Sequence, residues 1–234
     1  MRTNDLAGGA MVGIMTKTLN SNHILMKVKS EDILLQPATP AQAVAAAPLL
    51  FDTDPHLFAA FFGNDRDLAQ RFFTAQWQQV QTLFSHRYCT AAIARSDLVG
   101  IELGYDRMTQ EAAGRGTAQH VAEVLTPDEL SHFLEVVRYT PYLMPPTPED
   151  TYYILHLAAA PAVRGMGVGA LLLDNACERA KGNGYRFCQL DVASDNPAVR
   201  FYLRMGMQIL SESRVVPLQE QYGVQSHYRM VKAL

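Results

Sequence analysis

The chain has no excess of basic residues: 20 Lys and Arg stand against 23 Asp and Glu, for a formal net charge of −3 and a pI near 6.1. The electrostatic footprint of a nucleic-acid binder is therefore missing, and no nucleic-acid partner is expected. Cysteine is scarce. Cys89, Cys177 and Cys188 are odd in number and lack metal-type spacing, so they read as reduced structural thiols in a cytoplasmic protein rather than a disulfide framework. The seven histidines are scattered singly, without the H-x-H or H-E-x-x-H arrangement that a zinc site would use. Long apolar runs are also absent. Leu6 to Met15 is short, is broken by three glycines, and follows Asp5 with only Arg2 as a basic flank, which excludes a membrane span and makes a poor signal peptide. No repeat, low-complexity tract or linker between two cores is visible. What is present is 48% hydrophobic content in 234 residues, enough to bury a sizeable core. The expected organisation is a weakly structured leader over 1–30 and one folded unit over 31–234 with a helical insertion at about 106–150.

Along the chain, Ile33–Gln36 reads as a first strand, and Thr39-Pro40 supplies an N-cap with proline at the first helical position for a helix through Ala43–Ala47. Asp54-Pro55 opens a further helical piece, and Asn64 is expected to cap a longer helix striped by Leu68, Phe72, Trp77, Val80 and Phe84. Aromatics at this spacing are core residues first, with one or two of Phe58, Phe61, Phe62 and Trp77 lining a ligand site as the alternative. Cys89–Ala94 and Leu98–Tyr105 flank Ser96-Asp97 as a central hairpin. Glu102, the carboxylate inside it, reads as solvent-facing. In the insertion, Thr126-Pro127-Asp128-Glu129 is a capping box for a helix faced by Leu130, Phe133, Leu134 and Val137. Pro141, Pro145, Pro146 and Pro148 then argue against regular structure before Thr151. The insertion is either a lid or a homodimer contact. Gln208–Val216 and His227–Ala233 close the sheet as antiparallel strands.

The most informative stretch runs from Thr151 to Met207. An apolar strand, Tyr152–Ala160, leads into Arg164-Gly165-Met166-Gly167-Val168-Gly169, and Val168, Leu171, Leu172, Ala176 and Ala180 then recur at helical spacing until Gly182-Asn183-Gly184 ends the helix. A second strand, Tyr185–Val192, completes a strand–helix–strand unit. Glycines before a helix N-terminus make a cradle for phosphate, because unpaired N–H groups and the positive end of the macrodipole meet there. A P-loop is excluded, since Ala170-Leu171 follow Gly169 where Lys-Ser or Lys-Thr would be needed. A dinucleotide fingerprint fits Gly165 to Ala170 on paper, with Asp191 as the ribose acid. Against it, Pro161–Arg164 separate strand from turn, and little chain remains for a doubly wound sheet.

The segment resembles the GNAT superfamily of acyl-CoA-dependent N-acyltransferases, whose Gln/Arg-x-x-Gly-x-Gly/Ala signature is matched by Arg164 to Gly169. Asn196 to Met207 is similar to the family's N-x-x-A-x-x-F-Y-x-x-x-G-F segment, with Met207 in place of the final aromatic. The resemblance implies a mixed, mostly antiparallel α+β sheet with splayed parallel strands flanked by helices, and acetyl-CoA as co-substrate. It further implies that Arg164, Gly165, Met166, Gly167, Val168 and Gly169 hold the pyrophosphate, that backbone groups of Leu157 and Ala159 align the pantetheine arm, and that Asn196 hydrogen-bonds that arm. Tyr202 takes the family's general-acid position. The acceptor is then a primary amine of a small molecule or protein, and it must lose a proton to react. Here the sequence departs from the pattern: Tyr153 and Leu155 occupy the strand positions where relatives carry a base. Glu102, His156 and a water relay remain the candidates. His156 falls on the wrong face if the strand alternates regularly, and a bulge would change that. A non-catalytic acyl-CoA sensor is the alternative reading.

Overall fold

The central hairpin forms where two apolar runs meet a two-residue turn: β2 spans Cys89–Ala94 and β3 spans Asp97–Tyr105. Arg95 and Ser96 between them have φ of 51° and 75°, the left-handed pair whose twist suits a tight hairpin. The turn thus lies one residue earlier than Ser96-Asp97. The computed structural model describes residues 32–234, so the leader expected over 1–30 lies outside the described residues.

Around the hairpin, β1 (Leu34–Pro37), β4 (Thr151–Ala159), β5 (Phe187–Ala193), β6 (Gln208–Ser213) and β7 (His227–Ala233) build a seven-stranded sheet in the order β1-β2-β3-β4-β5-β7-β6. Every neighbouring pair is antiparallel except β4 and β5. The mixed α+β sheet expected from the sequence is thus formed, in place of the parallel sheet that a dinucleotide-binding unit would need.

Two apolar layers cover the sheet. On one face, helices α1 (Ala43–Phe51), α2 (Pro55–Phe61) and α3 (Arg66–Gln78) pack with Ala91, Ile101, Leu103 and Tyr153. On the other, α7 (Val168–Gly182) and α8 (Ala198–Arg204) pack with Tyr152, Ile154, Cys188 and Leu190. The aromatics Phe58, Phe61, Phe62 and Trp77 are all core residues. The cap of α3 is Asp65, whose Oδ1 accepts from Asp67 N and Leu68 N at 2.9 Å, and not Asn64, which stands at φ 65°. Extended backbone at Gln79 stops the helix, so Val80 is exposed and Phe84 returns to the core from a loop. The region between the last two strands contains a helix, α9 (Val216–Tyr222).

The insertion holds α4 (Arg107–Val124), α5 (Pro127–Val137) and a single turn, α6 (Thr140–Leu143), which accommodates Pro141 in its first turn. The capping box of α5 is formed as expected: Thr126 N donates to Glu129 Oε2 at 2.7 Å and Glu129 N to Thr126 Oγ1 at 3.4 Å. Helix α4 is not legible in the sequence because it buries only small residues and one valine: Ala113, Gly116, Thr117 and Val121. It lies so close to the preceding loop that a Cβ on Gly116 would fall 1.7 Å from the carbonyl oxygen of Gln81. Val121, Leu125, Phe133, Val136 and Leu143 join the same core as α1–α3, so the insertion is a wall of that core.

Gly116→Ala is expected to lower the free energy of unfolding by about 2 kcal/mol or more through overpacking. Gly114, on the same helix with nothing within 4 Å of a Cβ, serves as the control. Gly114→Ala should raise stability by about 0.5–1 kcal/mol from helix propensity alone. Urea unfolding of both variants measures the difference; equal stability would contradict the packing described.

Candidate active site

The glycine-rich turn is seated by apolar contacts and left open at its tip. Val163, Val168 and Leu172 pack on Ala92, Ala94 and Val99 of the hairpin. A Cβ on Gly100 would lie 2.8 Å from Val168 Cγ1, so the missing side chain is what lets α7 start directly on β3. Gly165 and Gly167 adopt φ of 80° and 86°, and nothing among the described residues comes within 4 Å of where a Cβ on either would stand. Inside the turn, Arg164 N and Met166 N bond to Pro161 O and Val163 O at 3.4 and 3.1 Å, so these two amides are already engaged. The first helical turn, from Val168 through Ala170, has no side-chain cap at Gly167. Its amides are the donors the turn offers.

The second feature is a bulge. Leu103 pairs with His156 while Gly104 pairs with Ile154, so Leu155 is an extra residue in β4. Its effect on the strand faces is visible in the packing. Tyr153 lies with the α1–α3 core and Ile154 with the α7 core. Leu155 and His156 then both face the α1–α3 side, after which Leu157 turns to α7. The parallel pairing of β4 with β5 ends at Ile154–Leu190, immediately before the bulge. From there β5 stays paired with β7 up to Ala193–His227, while β4 stays paired with β3 up to Ala159–Gly100. The two parallel strands therefore separate. Ala160 N donates to Val99 O at 2.9 Å, which fixes the ladder phase: residues 158 and 160 bond toward β3, and the backbone groups of Leu157 and Ala159 point toward the gap.

His156 is 3% exposed and sits beside the rings of Phe58 and Phe84, at 5.9 and 5.5 Å between centroids. Its Nδ1 is 2.8 Å from Thr53 Oγ1, and its Nε2 is buried without a hydrogen-bond partner among the described residues. Burial drives its pKa down to about 3, so the ring is neutral. Thr53 belongs to a tripeptide between α1 and α2 that touches three other elements. Asp52 Oδ2 accepts from Arg164 Nη2 at 3.1 Å, and Asp54 Oδ2 lies 2.6 Å from His227 Nε2 at the start of β7. Neither Thr53 nor His227 stands out in the sequence, since each gains its meaning from a contact more than a hundred residues away. Arg164 also donates Nε to Ala159 O at 3.2 Å, so one expected backbone partner is occupied by the turn's own arginine.

The remaining expected residues fall as follows. Tyr202 is buried in the α7–α8 core, and burial raises its phenol well above the usual value. Its neighbour Phe201 touches the glycine turn, with Cζ 3.5 Å from a Cβ placed on Gly169, so the two sequence motifs meet. Asn196 Oδ1 accepts from Ala198 N at 2.9 Å at the entry to α8. Glu102 is not solvent-facing: it is fully buried, accepting from Arg179 Nη2 at 2.5 Å and from Tyr152 OH at 2.9 Å. Desolvation raises its pKa to about 7 against the pull of Arg179. Arg179 lies in the last turn of α7, so Glu102 is held on the face opposite His156 and far along α7 from the glycine turn. A cleft of about 510 Å³ lined by Arg87, Thr90, Tyr152, Asn175 and Arg179 opens at that end of α7. It is separate from the turn and the strand gap.

Residues 105–207, which span the bulged strand, the glycine turn and the Asn196–Met207 segment, match the acetyltransferase (GNAT) family model. Over this segment the chain carries the GNAT acetyltransferase family pattern. No match is found among curated proteins. Similar solved structures include an N-acetyltransferase from Staphylococcus aureus Mu50, with TM-score 0.65, 16% identity, and coverage of 85% of this chain and 100% of that one. A polyamine N-acetyltransferase from Drosophila melanogaster that forms N-acetylagmatine aligns with TM-score 0.56 and 16% identity over 87% of this chain and 100% of its own. A GNAT acetyltransferase from Elizabethkingia anophelis with acetyl-CoA bound gives 0.51 and 13% over 87% and 99%. At these identities the likeness establishes the GNAT fold. Among the described residues, no helix is long and apolar enough to cross a membrane.

The two buried histidines make opposite demands on pH. His227 Nδ1 faces Gln225 O at 3.1 Å and Nε2 faces the Asp54 carboxylate, and since both partners only accept, both nitrogens carry protons. Burial opposes this charge, but Asp54 outweighs it and raises the His227 pKa above 6.5. A raised folded pKa gives stability that is complete below pH 6.5 and is lost as pH climbs through the folded value. His156, depressed from 6.5 to about 3, contributes the reverse limb, losing stability as pH falls below 6.5. His227→Gln should flatten the alkaline limb of the stability–pH curve and leave the acid limb in place, as read by urea midpoints across the range from mildly acid to mildly alkaline. An unchanged alkaline limb would refute the charged assignment.

Proposed function

We propose that the protein is an N-acetyltransferase that moves the acetyl group of acetyl-CoA directly to a primary amine of a small molecule or a protein. The observation that carries this reading is the bulge at Leu155. It turns His156, whose Nε2 has no partner among the described residues, to the α1–α3 face next to where β4 and β5 stop pairing in sequence, and the glycine turn opens at the start of α7.

The residues suit acetyl-CoA. Open space at Gly165 and Gly167 and the uncapped amides of Val168–Ala170 fit a pyrophosphate, and the Leu157 and Ala159 backbone groups fit the amides of a pantetheine arm. Arg164 reaches the phosphates only by leaving Asp52 and Ala159 O. Acetyl-CoA supplies the activated thioester. Backbone N–H groups of β4 beyond the bulge stabilise the oxyanion. His156 Nε2 is the group assigned to take the proton of the acceptor amine, directly or through one water, which requires the bound acceptor to relieve the burial that holds its pKa at about 3. We assign the base to His156 and not to Glu102, whose oxygens are held by Arg179 and Tyr152 on the other face. Tyr202, protonated at every working pH, donates to the leaving thiolate.

The burial of His156 Nε2 also favours a second reading, an acyl-CoA sensor that binds without efficient transfer. Acetyl-CoA at about a hundred times its Kd should stabilise the folded protein by about 2.7 kcal/mol under either reading. Thiol release from acetyl-CoA across a panel of amines separates them, and stabilisation without release selects the sensor. In the enzyme, His156→Gln is expected to lower kcat by about a hundredfold or more. Tyr202→Phe should lower kcat while leaving the KM for acetyl-CoA near its original value. Full turnover in either variant removes the role assigned to that residue.

A further inference from the structure

The hydrogen of Thr53 fixes which nitrogen of His156 is free. Thr53 Oγ1 is 2.7 Å from Leu50 O and 2.8 Å from His156 Nδ1. A hydroxyl has one proton to give, and a backbone carbonyl can only accept, so that proton lies on the bond to Leu50 O. The oxygen's remaining capacity is as an acceptor, and the contact with Nδ1 closes only if Nδ1 carries hydrogen. The neutral ring is thereby the Nδ1–H tautomer, with its lone pair on Nε2. That nitrogen is the one with no partner among the described residues, in a ring 3% exposed. Leu50, in the last turn of α1, thus sets the chemistry of a residue on β4 through a single hydroxyl.

We propose that Thr53 is a positioning residue: by accepting from Nδ1 while donating to Leu50 O, it holds His156 in the tautomer that presents Nε2 as the proton acceptor. The inference rests on His156 acting as the base. Without the hydroxyl, Nδ1–H would be buried with no acceptor, and the ring's own preference for the Nε2–H form would place a proton where the lone pair is needed. The neighbouring Asp54 anchors the same loop to His227, which keeps the hydroxyl in register with the ring.

The test uses the full chain with Thr53→Val, which keeps the shape of the side chain and removes the hydroxyl, and Thr53→Ser, which keeps the hydroxyl. The His156 tautomer is read by two-bond 1H–15N correlation on protein labelled at histidine nitrogen, and transfer is read by thiol release from acetyl-CoA with the best amine of the panel. The expected result is an Nδ1–H ring in the unaltered protein and in Thr53→Ser, and a shift to Nε2–H in Thr53→Val. With it, kcat should fall about ten- to a hundredfold in Thr53→Val while the KM for acetyl-CoA stays within about twofold. An Nδ1–H ring persisting in Thr53→Val overturns the proposal, as does a tautomer shift with undiminished kcat. His156→Gln identifies which assignment has failed: if it too turns over fully, the error is in the base, and if it is inactive, the error is in Thr53.

Discussion

Most of the site depends on where β4 stops pairing with β5. A parallel pair that continued to the strand ends would leave no gap and would use the Leu157 and Ala159 backbone groups in its own ladder. The extra residue at Leu155 prevents this, because a bulge bends its strand and disrupts the local ladder. β4 thereafter follows β3 while β5 follows β7, so the opening is held on both sides by antiparallel pairing. The same extra residue turns His156 toward α1–α3. One local irregularity thus accompanies both the gap and the orientation of His156.

The loop between α1 and α2 distributes charge around that opening. Asp52 meets Arg164 of the glycine turn, Thr53 meets a neutral histidine, and Asp54 meets a protonated one. The contrast between His156 and His227 follows from their partners: a hydroxyl cannot offset the loss of hydration of a cation, whereas a carboxylate at 2.6 Å does. Beyond them, Arg229 binds Asp191 at 2.6 Å and the carbonyls of Pro145 and Pro146, tying the end of the insertion to β5 and β7. The 106–150 segment is therefore coupled to the sheet as well as to the core, and the proline-rich stretch before β4 has its path set by an arginine. On the opposite face, the Glu102–Arg179–Tyr152 cluster holds β3, β4 and α7 together. It is a structural ion pair of a kind whose net contribution to stability is small but whose disruption strands a buried charge.

Local chemistry explains why the donor side is legible. The glycine turn, the strand before it, the α7 stripe and the Asn196–Gly206 segment all lie within one continuous stretch, and each is specified by backbone conformation, helix period or capping within a few residues. The α5 capping box and the β2–β3 hairpin are readable for the same reason. Helix α4 is not, because its buried side is made of residues too small to mark a period. Glu102 reads wrongly as solvent-facing because alternation along β3 does not reveal the arginine on α7 that takes it in.

The sequence by itself determined the strand–turn–helix cradle, the mixed sheet, the family resemblance and the identity of the expected donor, since these depend on near-neighbour spacing and on residues that permit unusual backbone angles. Tertiary structure alone decided that His156 lies on the α1–α3 face, that its Nε2 has no partner among the described residues, and that Glu102 is held by Arg179 and Tyr152. Those outcomes hang on one inserted residue in a ladder and on contacts such as Thr53 with His156 and Asp54 with His227, where two groups distant in the chain meet and neither one alone reveals its protonation.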